Sequence, residues 1–418
     1  MTPSASAATP VRTTFDVEKI RRDFPILNER VHGKPLVYLD SANTSQKPQA
    51  VLAAMDDYYR HANANIHRAT HLLSERATGL YEGARAKAAA FINAANPKNI
   101  VLTKGTTDGI NLVAQSYGRS MLRAGDEIII SWLEHHSNIV PWQLLCEQTG
   151  AVLRVVPIDD RGEIDLDHYA AALSPRTKLV AISHVSNALG TVNPIPTVIE
   201  QAHARGAVVL VDGAQAVPHF RVDVQSLVCD FYVFSSHKMY GPTGVGVLYG
   251  RGELLEAMPP YQGGGDMIAS VTFEKTLYNV VPYRFEAGTP NIGGVVGFGA
   301  AVDYLMAVDR EAALAHEDDV LGYASARVRE IPGARIIGEA RNKTGVLSFL
   351  LEGVHPHDAG TILDNEGVAV RTGQHCAQPI MDRYGIAATI RASLGIYNTR
   401  EEIDVLVRAL ERVRGVFS

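Results

Sequence analysis

Cysteine is scarce in this sequence: 3 residues in 418, at Cys146, Cys229 and Cys376. So few thiols exclude a disulfide framework and fit a reducing compartment, so a cytoplasmic location is expected. Long apolar runs are also missing. No stretch reaches the roughly 18 residues that a membrane-spanning helix needs. Basic runs are absent too, and the formal net charge is -6, so nothing points to nucleic acid or to a membrane surface. The first fourteen residues, MTPSASAATPVRTT, lack the apolar middle of a secretory signal and read as a disordered tail. What remains is ordinary for a folded chain, with 46% hydrophobic and 20% charged residues. At roughly 100–200 residues per domain, two to four domains are expected.

Residues 47–61 and 74–93 read as helices. A rhythm of short, β-branched apolar runs then begins: NIVLT, EIII, VLRVV, KLVAI, AVVLV, FYVF and GVGVLY. Such runs suit strands buried on both faces. Helical connections such as PTVIEQAHARG separate several of them, which implies a mostly parallel sheet in an α/β layer. After about residue 298 the pattern changes to two helices, the strand-like GVLSFLLEG and GVAVRT, and a closing helix. This predicts a large domain over 15–298 and a smaller α+β domain over 299–418, with the glycine-rich 288–299 as hinge.

In open parallel sheets, ligands bind at the carboxyl ends of the strands, so the loops after the runs are the place to look. Gly105, Thr106 and Thr107 follow NIVLT and open a helix, which suits a phosphate; a plain threonine helix cap is the other reading. Asp212 ends AVVLV, where a carboxylate needs a partner. A protonated pyridine nitrogen is one, and a loop hydrogen bond is another. Lys238 follows a strand, after Ser235 and His237. Its amine suits a Schiff base, against the usual fate of lysine at the surface. His135 can stack on a ring or move protons. Adjacent histidines on an extended segment face opposite ways, so His135 and His136 are not expected to share a metal. Cys146 and Cys229 read as small buried hydrophobes. Cys376 sits in VRTGQHCA beside Arg371 and His375, where a neighbouring cation favours the reactive thiolate. Arg391 reads either as a clamp for a substrate carboxylate or as half of a structural ion pair.

Phosphate cradle, strand-end Asp and lysine together are what pyridoxal phosphate requires. With the motifs YLDSANTSQKP, HRATHLLS, GTTDGINLVA, EHHSNIVPWQ, VDGAQAVPH, SSHKMYGPTGVGVLYG, FEAGTPN and RTGQHCA, the chain resembles the group II, SUF-type cysteine desulfurases of the class V aminotransferase superfamily. The resemblance runs from about Phe24 to the C-terminus. It implies a fold type I transferase with a mostly parallel seven-stranded sheet. It implies Lys238 as Schiff-base lysine, Asp212 at the pyridine nitrogen and Gln215 at the phenolic oxygen. It places His135 over the ring, with Thr106, Thr107, Ser235 and His237 at the phosphate. Thr289 would reach the phosphate from a second subunit, which implies a homodimer. Asn187 and Arg391 would meet the substrate, with Arg371 and His67 nearby, and Cys376 would carry a persulfide. L-cysteine would yield L-alanine, and the sulfur would pass to a SUF-type acceptor for iron–sulfur cluster assembly. The short Arg-Thr-Gly-Gln-His-Cys-Ala loop carries the branch assignment. Rival readings are a selenocysteine lyase, an aminotransferase-like relative and a cofactor-binding scaffold without turnover.

Overall fold

The structure is a computed structural model that describes residues 15–417; the expected tail, 1–14, lies outside them. The apolar runs form one seven-stranded sheet. Its strands are β1 (Ile100–Thr103), β2 (Glu127–Ser131), β3 (Val152–Val156), β4 (Thr177–Ser183), β5 (Val208–Asp212), β6 (Phe231–Ser235) and β7 (Gly246–Gly250). Across the sheet they run β1-β7-β6-β5-β4-β2-β3. Five neighbouring strands, β6 through β3, are parallel. Only β7 runs antiparallel to both its neighbours. The sheet is therefore mixed, with a parallel majority.

Register places the site. Ser183 pairs with Asp212, and Asp212 with Val233. Ser131 pairs with Val156 at the far end of the same row. The carboxyl ends of the parallel strands thus share one edge, and their loops emerge side by side. Strands β2 and β6 are buried throughout, as their β-branched content requires. The expectation of burial on both faces is corrected for β3. It is one of the sheet's two edge strands, and only its last residue is buried.

Helices α1 (Gln49–His61), α2 (Leu72–Phe91) and α3 (Thr106–Val113) precede or interleave with the sheet. The expected glycine-rich hinge is also corrected. Residues 292–299 form the first half of a continuous helix, α4 (Ile292–Ala307). Its glycines serve close packing. A Cβ at Gly293 would lie 2.5 Å from the Tyr59 hydroxyl, and one at Gly297 2.6 Å from Met55, so the bare backbone lets α4 lie against α1. The predicted boundary at 298 falls inside this helix.

Beyond it, strands β8 (Ala334–Ile337), β9 (Val346–Leu351), β10 (Arg371–Gly373) and β11 (Thr389–Ser393) form an antiparallel sheet in the order β8-β9-β11-β10. Helices α5 (Arg310–Arg329), α6 (Pro356–Asn365) and α7 (Arg400–Phe417) pack on it. The chain's early residues join this part: Val37–Tyr38 pairs in parallel with Val368–Ala369, and Asp40 bridges to Ser393. Among the described residues, no single helix is long and apolar enough to cross a membrane.

Candidate active site

One strand-end edge, capped by the smaller sheet, forms a cleft of about 190 Å³. It is lined by eleven of the residues singled out in the sequence: Thr106, Thr107, His135, Asn187, Asp212, Gln215, Ser235, His237, Lys238, Arg371 and Cys376. They come from positions up to 270 residues apart, and only the register of the sheet assembles them.

Asp212 is the last residue of β5 and is buried. Its Oδ1 accepts the Ala214 N–H at 2.9 Å. Burial pushes its carboxyl above the usual range, and the Lys238 ammonium works in the opposite direction. Lys238 follows β6 on a single helical turn, Ser236–Lys238. Burial lowers its amine to about 8, with Asp212 opposing the shift and Arg391 and Arg371 adding to it. The peptide before Lys238 is held hard. The His237 carbonyl accepts from Ser45 N at 2.9 Å, Lys47 Nζ at 3.0 Å, and both Thr44 Oγ1 and Ser45 Oγ at 3.1 Å.

The start of α3 closes one side. Ser235 Oγ accepts the Thr106 N–H at 2.8 Å and meets the Thr106 hydroxyl at 2.7 Å. Gly105 lies against Gly246 so closely that a Cβ on Gly246 would sit 2.4 Å from the Gly105 Cα. His135 Nδ1 accepts the Ser137 N–H at 3.0 Å, so the neutral ring carries its proton on Nε2. Burial, then Lys238, drives this imidazole down to about 3. It is therefore neutral at physiological pH.

Sequence reasoning passed over the residue beneath it. Glu134 is fully buried. Its carboxylate accepts from Ser131 Oγ at 2.5 Å, Asn138 Nδ2 at 2.7 Å and Ser183 N at 2.9 Å. It ties the ends of β2 and β4 to the His135 loop. The available signal was its setting: a carboxylate three residues past a buried apolar strand, after Trp132 and Leu133, needs buried donors.

The Cys376 loop is held at several points. His136 N donates to the Cys376 carbonyl at 2.7 Å, and Asn187 Nδ2 to the His375 carbonyl at 2.6 Å. His375 Nε2 meets Thr389 Oγ1 at 2.8 Å. Arg371 Nη2 donates to Cys376 Sγ at 3.3 Å. The half-buried thiol therefore faces a cation inside a loop pinned from two sheets. Cys229 is buried, as expected of a structural thiol, and Cys146 is partly buried; burial pushes both thiols up.

Arg391 forms the ion pair that was one of the two readings left open for it. Its Nη2 pairs with Asp40 Oδ1 at 2.9 Å, its Nη1 donates to the Asn187 carbonyl at 2.9 Å, and its buried Nε has no partner. It stands behind Asn187 instead of on the cleft wall. Asp40, Asn43 and Lys47 all lie in the YLDSANTSQKP motif, yet sequence reasoning gave none of them a task.

Two expected residues stay apart. His67 pairs with Glu82 at 2.9 Å and lines a different cavity with Tyr283 and Asp266. Thr289 lies in another groove beside Tyr261 and Asp108. Within one chain neither reaches Lys238. Among the described residues, no group of three or more His, Cys, Asp or Glu is arranged to hold a metal.

Comparison with known proteins bears on this geometry. The aminotransferase class-V family matches residues 37–406. A cysteine desulfurase of Synechococcus elongatus is 55% identical over 400 residues, which cover 96% of this chain and 64% of that protein. A cysteine desulfurase of Klebsiella pneumoniae subsp. pneumoniae is 53% identical over 402 residues, covering 96% of this chain and 99% of that one. Among solved structures, the cysteine desulfurase CsdA of Escherichia coli, in an S-sulfonic acid form, superposes with a TM-score of 0.91 at 41% identity. That match covers 97% of this chain and 100% of CsdA.

Proposed function

We propose that this chain, which belongs to the aminotransferase class-V family, works as a pyridoxal-phosphate-dependent cysteine desulfurase that takes the sulfur of L-cysteine onto Cys376 and releases L-alanine. The observation that carries the sulfur step is the Arg371–Sγ contact of 3.3 Å, set on the same cleft as Lys238 and Asp212.

The residues present fit the cofactor. Gln215 Oε1 is buried without a partner, and Asp212 offers a buried carboxylate with a single backbone donor on Oδ1. Gly246 lets the Gly105 backbone pack against it, which sets the start of α3 beside the end of the sheet. Asp212 would hold the ring nitrogen, Gln215 the phenolic oxygen, Lys238 the aldehyde, and Thr106, Thr107, Ser235 and His237 the phosphate. Bound there, pyridoxal phosphate supplies an aldehyde for an amine and a cationic ring that draws electrons from the substrate's Cα.

The chain's own groups do the rest. Lys238, lowered to about 8, moves the Cα proton near neutral pH, because part of its amine is free to accept one. His135, neutral with its proton on Nε2, donates and recovers a proton beside it. Asn187, braced by Arg391, orients the substrate carboxylate. Cys376 attacks the cysteine sulfur as thiolate. The new S–S bond forms as the substrate C–S bond breaks, its electron pair stays on carbon, and protonation there completes alanine. The sulfur remains on Cys376 as a persulfide.

The finer reading follows. The short RTGQHCA loop supports the SUF-type branch, with a small sulfur-acceptor protein and iron–sulfur cluster assembly downstream. The separation of Thr289 and His67 from Lys238 within one chain supports a homodimer in which each completes the partner's site. The scarcity of cysteine, with no disulfide among the described residues, supports the cytoplasm. Incubation with L-cysteine and a reductant tests the core claim. Equal yields of alanine and sulfide are expected, lost in Cys376→Ala. Full activity in that variant removes the persulfide role, and retained activity on selenocysteine alone favours the lyase.

A further inference from the structure

His135 and His136 are neighbours, but only His135 lines the cleft. His136 addresses the cysteine loop. Its backbone N–H donates to the Cys376 carbonyl at 2.7 Å. Its ring Nε2 accepts the Gln378 N–H at 3.1 Å. An accepting ring nitrogen carries no proton, so the neutral ring is protonated on Nδ1. The two adjacent histidines thus adopt opposite tautomers, each fixed by a backbone amide.

The loop needs such holding. His375 has φ 54° and Cys376 has φ 56°. Two successive side-chain-bearing residues in the left-handed region persist only where the surroundings over-determine them. The His375 carbonyl is held by Asn187 Nδ2 at 2.6 Å. Two further anchors come from His136, one at Cys376 itself and one two residues on. In this posture Sγ lies 3.3 Å from Arg371.

We infer that His136 is a positioning residue for sulfur transfer, whose imidazole latches the left-handed Cys376 loop to the loop that carries His135. The inference rests on the desulfurase reading for its consequence, but not for its geometry. H136A keeps the backbone bond and removes only the ring acceptor. The Oε1 of a glutamine can stand where the histidine Nε2 stood, so H136Q can restore the latch and H136A cannot.

Amide hydrogen exchange on the resting holoenzyme reads the latch directly. In H136A the Gln378 amide is expected to exchange at least about tenfold faster, with wild-type protection recovered in H136Q. In steady state with L-cysteine, kcat is expected to fall by about tenfold in H136A while KM stays within about twofold, since the thiol is misplaced and the substrate site is not. H136Q should recover kcat. Unchanged exchange and kcat in H136A overturn the proposal. So does an equal loss in H136A and H136Q, which marks general damage. If H136A does not fold, the wild-type Gln378 amide decides: an unprotected rate overturns the latch, and protection shared with H136Q supports it. A wild-type protein that releases no alanine would sink the desulfurase reading, and the exchange result would still judge the latch.

Discussion

Arg371 reaches two partners with one guanidinium: Nη2 donates to Cys376 Sγ at 3.3 Å, and Nη1 donates to Asn43 Oδ1 at 3.0 Å. The cation is therefore aimed at the sulfur by a residue from the far N-terminal part of the chain, more than three hundred positions away.

This pairing sets the first expectation. Arg371→Ala should slow the single-turnover appearance of one added sulfur on Cys376, followed by intact mass, by about tenfold, or roughly 1.4 kcal/mol. Arg371→Lys should recover only part, because an ammonium cannot bridge Asn43 and Sγ as a planar fork does. An undiminished burst in Arg371→Ala would remove the cation from the sulfur step.

Lys238 makes a pH prediction for the cofactor-free protein. Its folded-state value of about 8 lies below the ordinary lysine value of 10.5, so the ammonium is the form that folding penalises. That penalty is full below pH 8, shrinks as pH rises through the window, and is gone above about 10.5. Lys238→Met should therefore be more stable than the wild-type apoprotein at pH 7, by up to about 3 kcal/mol. Denaturant titrations at pH 7 and pH 9.5 check it. A gap that widens at the higher pH would contradict the burial of this amine.

Gly246→Ala tests the cradle. The added methyl would meet the Gly105 Cα at 2.4 Å, backbone against backbone, so the start of α3 must move. Pyridoxal phosphate affinity, measured by absorbance after equilibrium dialysis, should fall at least about tenfold, or roughly 1.4 kcal/mol. Wild-type affinity would mean that the phosphate does not sit at this turn.

Arg391 separates clamp from ion pair. It is fully buried, and Asp40 is mostly so. Arg391→Ala leaves the Asp40 carboxylate without its cation, which costs about 3–5 kcal/mol when one member of a buried pair is removed. Chemical denaturation should show that loss, and steady-state kinetics should show a raised KM for cysteine. A raised KM with unaltered stability would leave the clamp standing and the structural pair without weight.

Much of this was legible in the linear chain. Short apolar β-branched runs, separated by helical connections, declare the strands of an α/β sheet. The polar residues directly after those runs declare the site, because parallel strands end on a common edge. Lys238, Asp212 and the Gly105–Thr107 turn were found that way, and Cys376 by the Arg371 and His375 beside it. The edge position of β3 was not legible, since an edge strand and a central one can share a composition. Nor was α4, where glycines that look like a hinge serve close helix packing against Tyr59 and Met55.

The sequence by itself thus determined the kinds of chemistry available: an amine, a buried carboxylate, a phosphate turn and one thiol in a cationic setting. Only the tertiary structure decided who supports them. Glu134 under His135, Asp40 behind Arg391, the Thr44–Lys47 donors on the His237 carbonyl and the His136 hold on Cys376 are contacts between segments distant in sequence or facing away from the cleft. Local spacing carries no information about them. They exist because strand register and the docking of the smaller sheet bring those atoms within hydrogen-bonding range, and buried polar groups must be paired once they are there.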